Sequence, residues 1–220
     1  MTDIPNSKTF LPSGSREIAG VLLAGGKSRR FGGGDKCLQE LGSKTLLEHA
    51  ARNAAPQVGA LILNINGDES RFPDLGLPIL HDTIEGHAGP LSGVLSAMEC
   101  VVEHAPQVRW IATFATDAPF IPANWVALVQ ARITREQSQM GTVSSNGRSH
   151  PVFGLWPVDL RFELRKAMED EELRKVGAWT ARYKLATVEF ESDPVDPFFN
   201  INTPEDLAVA ESTLAHRKGN

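Results

Sequence analysis

The side chains best suited to chemistry lie between residues 21 and 38, where the sequence reads VLLAGGKSRRFGGGDKCL. An apolar run over residues 18–24 ends at two glycines, and the twelve residues from Gly25 to Lys36 contain five glycines and four cationic side chains. Glycine lets backbone N–H groups approach an anion closely, and Arg and Lys neutralise its charge. Such a turn after a strand is typical of a phosphate-binding loop, the alternative being a flexible surface loop.

The spacing of the glycines excludes two common phosphate-binding loops. A Walker A loop counted from Gly26 needs a glycine at position 31, which is Phe31. A dinucleotide fingerprint built on Gly32 and Gly34 needs a glycine at position 37, which is Cys37. The order L-A-G-G-x-S-x-R-F-G-x-x-D-K instead resembles that of nucleotidyltransferases with a Rossmann-like fold. An NAD-dependent dehydrogenase is therefore disfavoured.

Polar residues also follow three other predicted strands, over residues 58–65, 78–81 and 110–116. In an open parallel sheet, ligands bind beyond the carboxyl ends of the strands. We therefore expect the side chains at these ends to meet at the phosphate-binding loop. They are Asn64, Asn66, Asp82 and Asp117.

Each of these side chains has a functional and a structural interpretation. Asp117 can hold Mg²⁺ together with phosphate oxygens, or it can cap the helix that follows. Asp82 can accept hydrogen bonds from nucleoside hydroxyls or base N–H groups, or it can be a turn residue. Asn64 can bind a base or ribose, or it can simply end its strand.

The second half of the chain offers candidate contacts for an acceptor substrate. Arg148 can bind an acceptor phosphate, whereas His150 can be either a ligand contact or a structural histidine. Asn200 and Asn202 precede the last predicted helix, where their amides can face the metal and the acceptor. Alternatively, Asn202 or Thr203 serves only as the helix N-cap.

The elements that must position these residues alternate between strand and helix in the first half. Helical spacing predicts helices over residues 45–54, 91–102 and 122–133, the last with a proline in its first turn. Residues 141–145 and 150–156 flank an Asn-Gly turn and predict an antiparallel hairpin. One or two surface helices over residues 159–181, a strand over 185–190 and a closing helix over 203–216 follow. The pattern predicts a three-layer α/β/α, Rossmann-like fold with a mostly parallel central sheet and an antiparallel hairpin in its second half.

Length and composition are typical of one globular domain. The chain has 220 residues, a net charge of −5 and two cysteines, which favours a reducing, cytoplasmic setting. An acidic chain with one basic loop indicates a small anionic ligand rather than nucleic acid, and no apolar run approaches the roughly 18 residues of a membrane span. We expect residues 1–17 to form a disordered leader and residues 18–220 a single domain, with a nucleotide-binding half before an acceptor-binding half.

Taken together, these segments resemble the molybdenum cofactor guanylyltransferases, which join GTP to molybdopterin. The resemblance rests on LLAGGKSRRFGGGDK, QELGSKTLLEH, LNIN, HD, GPLSG, ATDAPFIP, HPVFGLW and FFNINTPEDL, which occur in the family's order over residues 18–210. The related cytidylyl enzymes carry Asn-Lys in place of Asp35-Lys36 and Asp-x-Asp in place of Asn200-Ile201-Asn202. Both differences favour guanine.

The resemblance implies a role for each matching residue and a mechanism. Backbone at Leu23, Ala24, Gly25 and Gly26 would contact the nucleotide, Lys36 the phosphates, Asn64 and Asp82 the guanosine, and Asp117 the Mg²⁺; Asn200 and Asn202 would lie on the acceptor side. Catalysis would consist of positioning and charge neutralisation by Mg²⁺, Lys36, Arg30 and loop amides during attack of the pterin phosphate on GTP.

The resemblance also implies partners, and it leaves two other functions open. A molybdopterin-delivering protein and apo-molybdoenzymes are the implied protein partners, with neither nucleic acid nor membrane involved. A cytidylyltransferase or sugar-phosphate nucleotidyltransferase would share the loop. A non-catalytic GTP-binding regulator would bind the nucleotide without releasing pyrophosphate.

Overall fold

A seven-stranded sheet forms the centre of the computed structural model, which describes residues 17–25, 35–84, 86, 89–192 and 195–219. The strands of this sheet are β1 (Ile18–Leu23), β4 (Ala60–Ile65), β5 (Ile79–His81), β6 (Trp110–Ala115), β7 (Met140–Ser145), β8 (Arg148–Pro157) and β9 (Leu185–Phe190). Two further strands, β2 (Glu40–Leu41) and β3 (Lys44–Thr45), pair only with each other and form a small separate ribbon. The helices are α1 (Leu46–Ala54), α2 (Pro90–His104), α3 (Trp125–Glu136), α4 (Arg161–Glu169), α5 (Val176–Thr180) and α6 (Pro204–Gly219).

The strand order of the sheet is β5-β4-β1-β6-β8-β7-β9. Neighbouring strands pair in parallel except at β8, which is antiparallel to both β6 and β7. The predicted fold class is confirmed. Because β1, β4, β5 and β6 run the same way, their carboxyl ends share one edge of the sheet.

Successive side chains along a central strand point to opposite faces of the sheet, and helices pack on both faces. Within β1, Leu22 packs with α1 and α3, whereas Val21 packs with α2, α4 and α5 on the opposite face. A third, smaller core joins α6 to the β2–β3 ribbon through residues such as Leu41 and Ala210. The two large cores make the central strands apolar on both sides, as expected for a parallel sheet.

A capping box explains where α1 begins. Thr45 Oγ1 accepts a hydrogen bond from the Glu48 backbone N–H (3.2 Å), and Glu48 accepts one from the Thr45 N–H (2.7 Å). This capping box stabilises the first turn.

The start of α3 differs from the prediction. Helix α3 begins at Trp125 rather than at residue 122, so the predicted first-turn proline, Pro122, precedes the helix and its N-cap residue, Asn124.

The predicted hairpin is confirmed, and it contains a bulge that the sequence did not reveal. Asn146 and Gly147 join β7 to β8 with φ angles of 49° and 71°, the positive values required by a type I′ turn. Register shifts between Thr142, which pairs with Gly154, and its neighbour Val143, which pairs with His150. The Thr113 hydroxyl holds the bulged strand by bonding to the backbone of Val152 and Gly154.

The expected leader stays a prediction, because residues 1–16 lie outside the described residues. Among the helices of the described ranges, none combines the length and apolar character needed to cross a membrane.

Candidate active site

The carboxyl edge of the parallel strands opens into a cleft of about 420 Å³. Its wall includes the end of β1 (Leu23 to Gly25), the end of β4 (Asn64 and Asn66) and the end of β6 (Thr116 and Asp117). Lys36 and Asn200 reach the same cleft from the loops before α1 and α6. The structure therefore brings together most of the residues that the strand-end argument predicted. Of the sequence-predicted residues, Gly26 and Arg30 lie outside the described part of the chain.

Hydrogen bonds to the ends of β4 and β6 fix the backbone at the end of β1, where it lines the cleft. The Ala24 N–H donates to the Asn64 carbonyl (2.9 Å), and the Thr116 hydroxyl donates to the Leu23 carbonyl (3.1 Å). A Cβ added to Gly25 would lie 2.4 Å from Asn66 Nδ2, so a larger residue here would require the Asn66 side chain to move.

Lys36 links three segments that are far apart in the sequence. It opens the 3₁₀ turn Lys36–Leu38, and its Nζ lies 2.6 Å from Asp117 Oδ2 and 2.7 Å from Asn202 Oδ1. The ammonium group thus joins the phosphate-binding loop, the end of β6 and the loop before α6. Charge-assisted hydrogen bonds of this length are among the strongest that a side chain makes.

Two buried oxygen atoms of residues that line the cleft fit a cation. Asp117 Oδ1 and Asn200 Oδ1 are both buried without a hydrogen-bond partner among the described residues. Carboxylate and amide oxygens are the donors that hard divalent cations prefer. No cluster of three or more His, Cys, Asp or Glu side chains suited to a metal occurs among the residues described. The chemistry of the cleft therefore fits a divalent cation held by two protein oxygens and by substrate.

Asn64 and Asp82 meet at the other end of the cleft, although Asp82 does not line it. Asn64 Nδ2 donates to Asp82 Oδ1 (3.0 Å) and to the Leu80 carbonyl (3.2 Å). On its other side, Asn64 packs against α2, where a Cβ added to Gly93 would lie 2.4 Å from Asn64 Oδ1. The Asn64 amide is thereby fixed between two strands and a helix, and it orients the Asp82 carboxylate.

We expect Gly93→Ala to lower the free energy of unfolding by about 1–3 kcal/mol, because the added methyl group would displace Asn64 and Leu23. Urea denaturation measures the change, and nucleotide affinity should fall with it. Gly177→Ala is the matched control, since Gly177 lies in α5 with open space around it. There the helix preference of alanine should add about 0.4–1 kcal/mol. Equal stability of the two variants would contradict the assigned contact.

Arg148 and His150 do not line the cleft, although both begin β8. Arg148 is exposed near the hairpin turn, whereas His150 is buried and its Nε2 lies 2.7 Å from Ser145 Oγ. The side chain from this strand that does reach the cleft wall is Val152. The bulge in β8 explains this placement, because it changes which residues point toward the cleft.

Sequence reasoning missed Arg71 as a support for the cleft. Arg71 Nη1 forms an ion pair with Asp35 Oδ2 (3.0 Å), and its Nη2 donates to the Asn66 carbonyl (2.9 Å). The pair fixes the residue before Lys36 to the segment after β4. Nothing in the local sequence signals this contact, because the two partners are 36 positions apart.

Cys37 borders the cleft but has no nucleophilic character. Burial raises the pKa of the Cys37 thiol to about 12, with the Asp35 carboxylate acting in the same direction. Burial likewise raises the pKa of Cys100 to about 11. A neutral thiol is a poor nucleophile, so Cys37 acts as a small apolar wall residue.

We expect neither cysteine to react rapidly with Ellman's reagent at pH 8 in the folded protein. At that pH only about one Cys37 in 10⁴ would be ionised, given the raised pKa. The absorbance of released thionitrobenzoate should report two thiols promptly only after denaturant is added. Stoichiometric labelling of the native protein within minutes would contradict the burial of these thiols.

Several known proteins resemble this chain in sequence and in fold. A model of the MobA-like NTP transferase domain matches residues 20–185. A molybdenum cofactor guanylyltransferase of Rhodopseudomonas palustris (strain HaA2) is 48% identical over 199 residues, covering 90% of this chain and 92% of that protein.

Two solved structures share the fold at low sequence identity. Molybdopterin-guanine dinucleotide biosynthesis protein A from Archaeoglobus fulgidus has a TM-score of 0.70 and 19% identity, over 90% of this chain and 99% of that one. Rv0371C from Mycobacterium tuberculosis, solved as a complex with manganese, has a TM-score of 0.64 and 17% identity, over 89% and 98% of the two chains.

The fold and the cleft at its carboxyl edge define a nucleotidyltransferase, an enzyme that transfers a nucleotide from its triphosphate. The chain belongs to the family of MobA-like NTP transferases.

Proposed function

We propose that this enzyme transfers GMP from GTP to molybdopterin, giving a guanine dinucleotide cofactor and pyrophosphate. The observation that carries the proposal is the meeting of Lys36 with Asp117 and Asn202. It joins the loop suited to a triphosphate, the strand end suited to a cation and the loop assigned to the acceptor. The names of relatives at close to half identity over most of the chain support GTP and molybdopterin as the substrates.

The proposed reaction is an in-line displacement at the α-phosphorus of GTP. An oxygen of the acceptor's terminal phosphate forms the new P–O bond, while the bond from the α-phosphorus to the bridging oxygen of the β-phosphate breaks. The electron pair of the broken bond leaves with pyrophosphate. A phosphate nucleophile is already ionised at neutral pH, so no side chain has to act as a general base.

The residues of the cleft then have electrostatic and positioning roles. Lys36 neutralises phosphate charge that increases on the leaving group, as the Arg30 side chain and loop amides would. Asn64 and Asp82 orient the guanosine, and backbone at Leu23, Ala24, Gly25 and Gly26 contacts the nucleotide. Arg148, Asn200 and Asn202 contact the acceptor. For His150, which is buried and does not line the cleft, a supporting role fits better than the predicted acceptor contact.

Asp117 and Asn200 would hold the divalent cation through their unpaired oxygens. When bound, such an ion neutralises phosphate charge and aligns the reacting oxygens. The M. tuberculosis fold neighbour was solved as a complex with manganese, which is compatible with use of a divalent cation. We propose Mg²⁺ as the ion used by this enzyme.

The proposal extends to the setting of the enzyme. Both cysteines are unpaired and buried, which fits a reducing cytoplasm. A molybdopterin-delivering protein and apo-molybdoenzymes would be its protein partners.

Release of pyrophosphate tests the reaction and the nucleotide together. Purified enzyme is incubated with molybdopterin, Mg²⁺ and one of GTP, CTP or ATP, and pyrophosphate is measured with a coupled enzyme assay. We expect release with GTP alone and none after chelation of Mg²⁺. Release with CTP would assign the chain to cytidylyl transfer, and release with sugar phosphates in place of molybdopterin would assign a different acceptor. Binding of GTP without release under any condition would indicate a regulator.

A further inference from the structure

Three polar side chains that do not line the cleft form a continuous chain of hydrogen bonds, two of them buried and the third partly buried. Ser145 Oγ, at the end of β7, lies 2.7 Å from His150 Nε2 and 2.7 Å from Asp196 Oδ1. Ser145 is fully buried and His150 is 8% exposed. We call this chain of His150, Ser145 and Asp196 the relay.

The direction of the hydrogen bonds in the relay follows from a count of protons. The serine hydroxyl has one proton, and Asp196 can only accept, so that proton is donated to Asp196. Ser145 Oγ must then accept from His150, which places a proton on Nε2. Burial lowers the pKa of His150, an effect that the Asp196 carboxylate opposes, so the neutral ring with its Nε2 proton is the favoured form.

The order of residues in the relay excludes a hydrolytic triad. In such a triad the carboxylate orients the histidine and the serine is open to substrate. Here the carboxylate bonds to the serine, and the serine is buried. The relay is therefore suited to holding structure and not to nucleophilic attack.

The relay is attached to the loop that carries Asn200 and Asn202. Asp196 Oδ1 also accepts from the Phe198 N–H (2.8 Å), and the Phe198 ring packs on His150 with centroids 5.1 Å apart. Farther along, the Ile201 N–H donates to the Asp117 carbonyl (2.9 Å). The loop is thus attached to the sheet on both sides of Asn200, once through the relay and once through Asp117.

We propose that the relay positions Asn200 and Asn202, and thereby controls how the cleft binds the acceptor phosphate and the divalent cation, with a much smaller effect on nucleotide binding. The inference about the acceptor rests on the proposed function. Ser145, His150 and Asp196 are positioning residues, because none of them lines the cleft. The nucleotide end of the cleft is lined by the ends of β1 and β4. Among the described residues, the hydrogen bonds that link Ser145 to His150 and Asp196 involve neither strand.

Hydrogen exchange of the loop tests the first part of the proposal without any ligand. The variants are Ser145→Ala and Asp196→Ala, with Ser144→Ala as the matched control, because Ser144 lies next in the same strand but bonds to Glu189. We expect amide exchange in the peptide spanning residues 195–202 to accelerate about tenfold in the first two, the effect of losing a buried hydrogen bond, and to stay unchanged in the control. Unchanged exchange in Ser145→Ala would overturn the proposal.

Kinetic constants separate positioning from a general loss of structure. In Asp196→Ala, the KM for the acceptor should rise about tenfold while the KM for GTP stays within about twofold. Asp196→Asn should restore most of the loss, because its amide oxygen can still accept from Ser145 and Phe198. An equal rise in both KM values, or no rescue by asparagine, would show a merely structural role.

Binding of Mn²⁺ keeps the inference testable if the wild-type enzyme transfers nothing to molybdopterin. Electron paramagnetic resonance counts free Mn²⁺ in a titration of each variant with a fixed amount of GTP. A weaker Mn²⁺ affinity in Asp196→Ala, but not in Ser144→Ala, would support the relay even though the proposed reaction had failed. Equal affinities would overturn the relay's role toward the cation, whatever the reaction proves to be.

Discussion

Replacing Lys36 by alanine is expected to reduce kcat by about 10²–10³-fold, the usual loss on removing one preorganised group that stabilises charge in the transition state. Lys36 is the cation that touches both Asp117 and Asn202, so no neighbour in the described cleft can replace its charge. Steady-state pyrophosphate release, measured with GTP and acceptor both saturating, gives kcat. The KM for GTP should change less, because backbone groups also contact the nucleotide in the proposed site.

A matched control and a second variant make the Lys36 result interpretable. Lys166→Ala removes an exposed lysine from α4 and should leave kcat unchanged. Lys36→Met keeps the aliphatic stem and should be as inactive as the alanine variant, provided that thermal unfolding shows both to be folded. Turnover at the wild-type rate in a folded Lys36 variant would remove Lys36 from the catalytic machinery.

Asp117→Asn is expected to raise the half-saturating Mg²⁺ concentration by at least about 10–100-fold, the loss seen even when an outer partner of a metal ligand is removed. The change removes the carboxylate charge while keeping the shape of the side chain. It also leaves the Lys36 ammonium without its nearest anion, 2.6 Å away in the wild type. Activity measured across a Mg²⁺ titration gives the half-saturating concentration.

The control for Asp117 is an acidic residue of similar chemistry far from the cleft. Asp170→Asn changes an exposed carboxylate at the end of α4 and should leave the Mg²⁺ titration where it is. Tight binding of Mg²⁺ by the folded Asp117→Asn enzyme would mean that the unpaired oxygen of Asp117 serves another purpose. In that case Asn200 alone would have to be examined as the cation ligand.

The sequence predicts the sheet well because buried parallel strands have a strong local signature. The sequence predicts residues 185–190 as a strand, which is β9, and the ends of the other six predicted strands lie within two residues of the observed ones. The short strands β2 and β3, outside the sheet, are not predicted. The same signature located Asn64 and Asp117, because each follows an apolar run directly. One helix start is wrong: Pro122 is compatible with a first helical turn, yet three residues from Pro122 onward precede α3, which begins at Trp125.

Contacts between distant segments could not be predicted from the sequence. The position of Asn202 beside Lys36 depends on how α6 packs against the β2–β3 ribbon, through contacts such as Ile201 with Leu41. From the sequence His150 could be either a ligand contact or a structural histidine, and only the structure shows it buried against Phe198, after the register shift in β8. Such placements depend on packing between elements, which local spacing does not encode.

The reversed direction of β8 brings its hairpin turn to the edge of the sheet where the cleft opens. Because β7 runs parallel to β6, the turn at Asn146 and Gly147 emerges at the same edge as the carboxyl ends of β1, β4 and β6. This turn is exposed and does not line the cleft. Under the proposed function, its length and side chains can therefore change in evolution, and alter which acceptor is admitted, while the strand ends keep their structure.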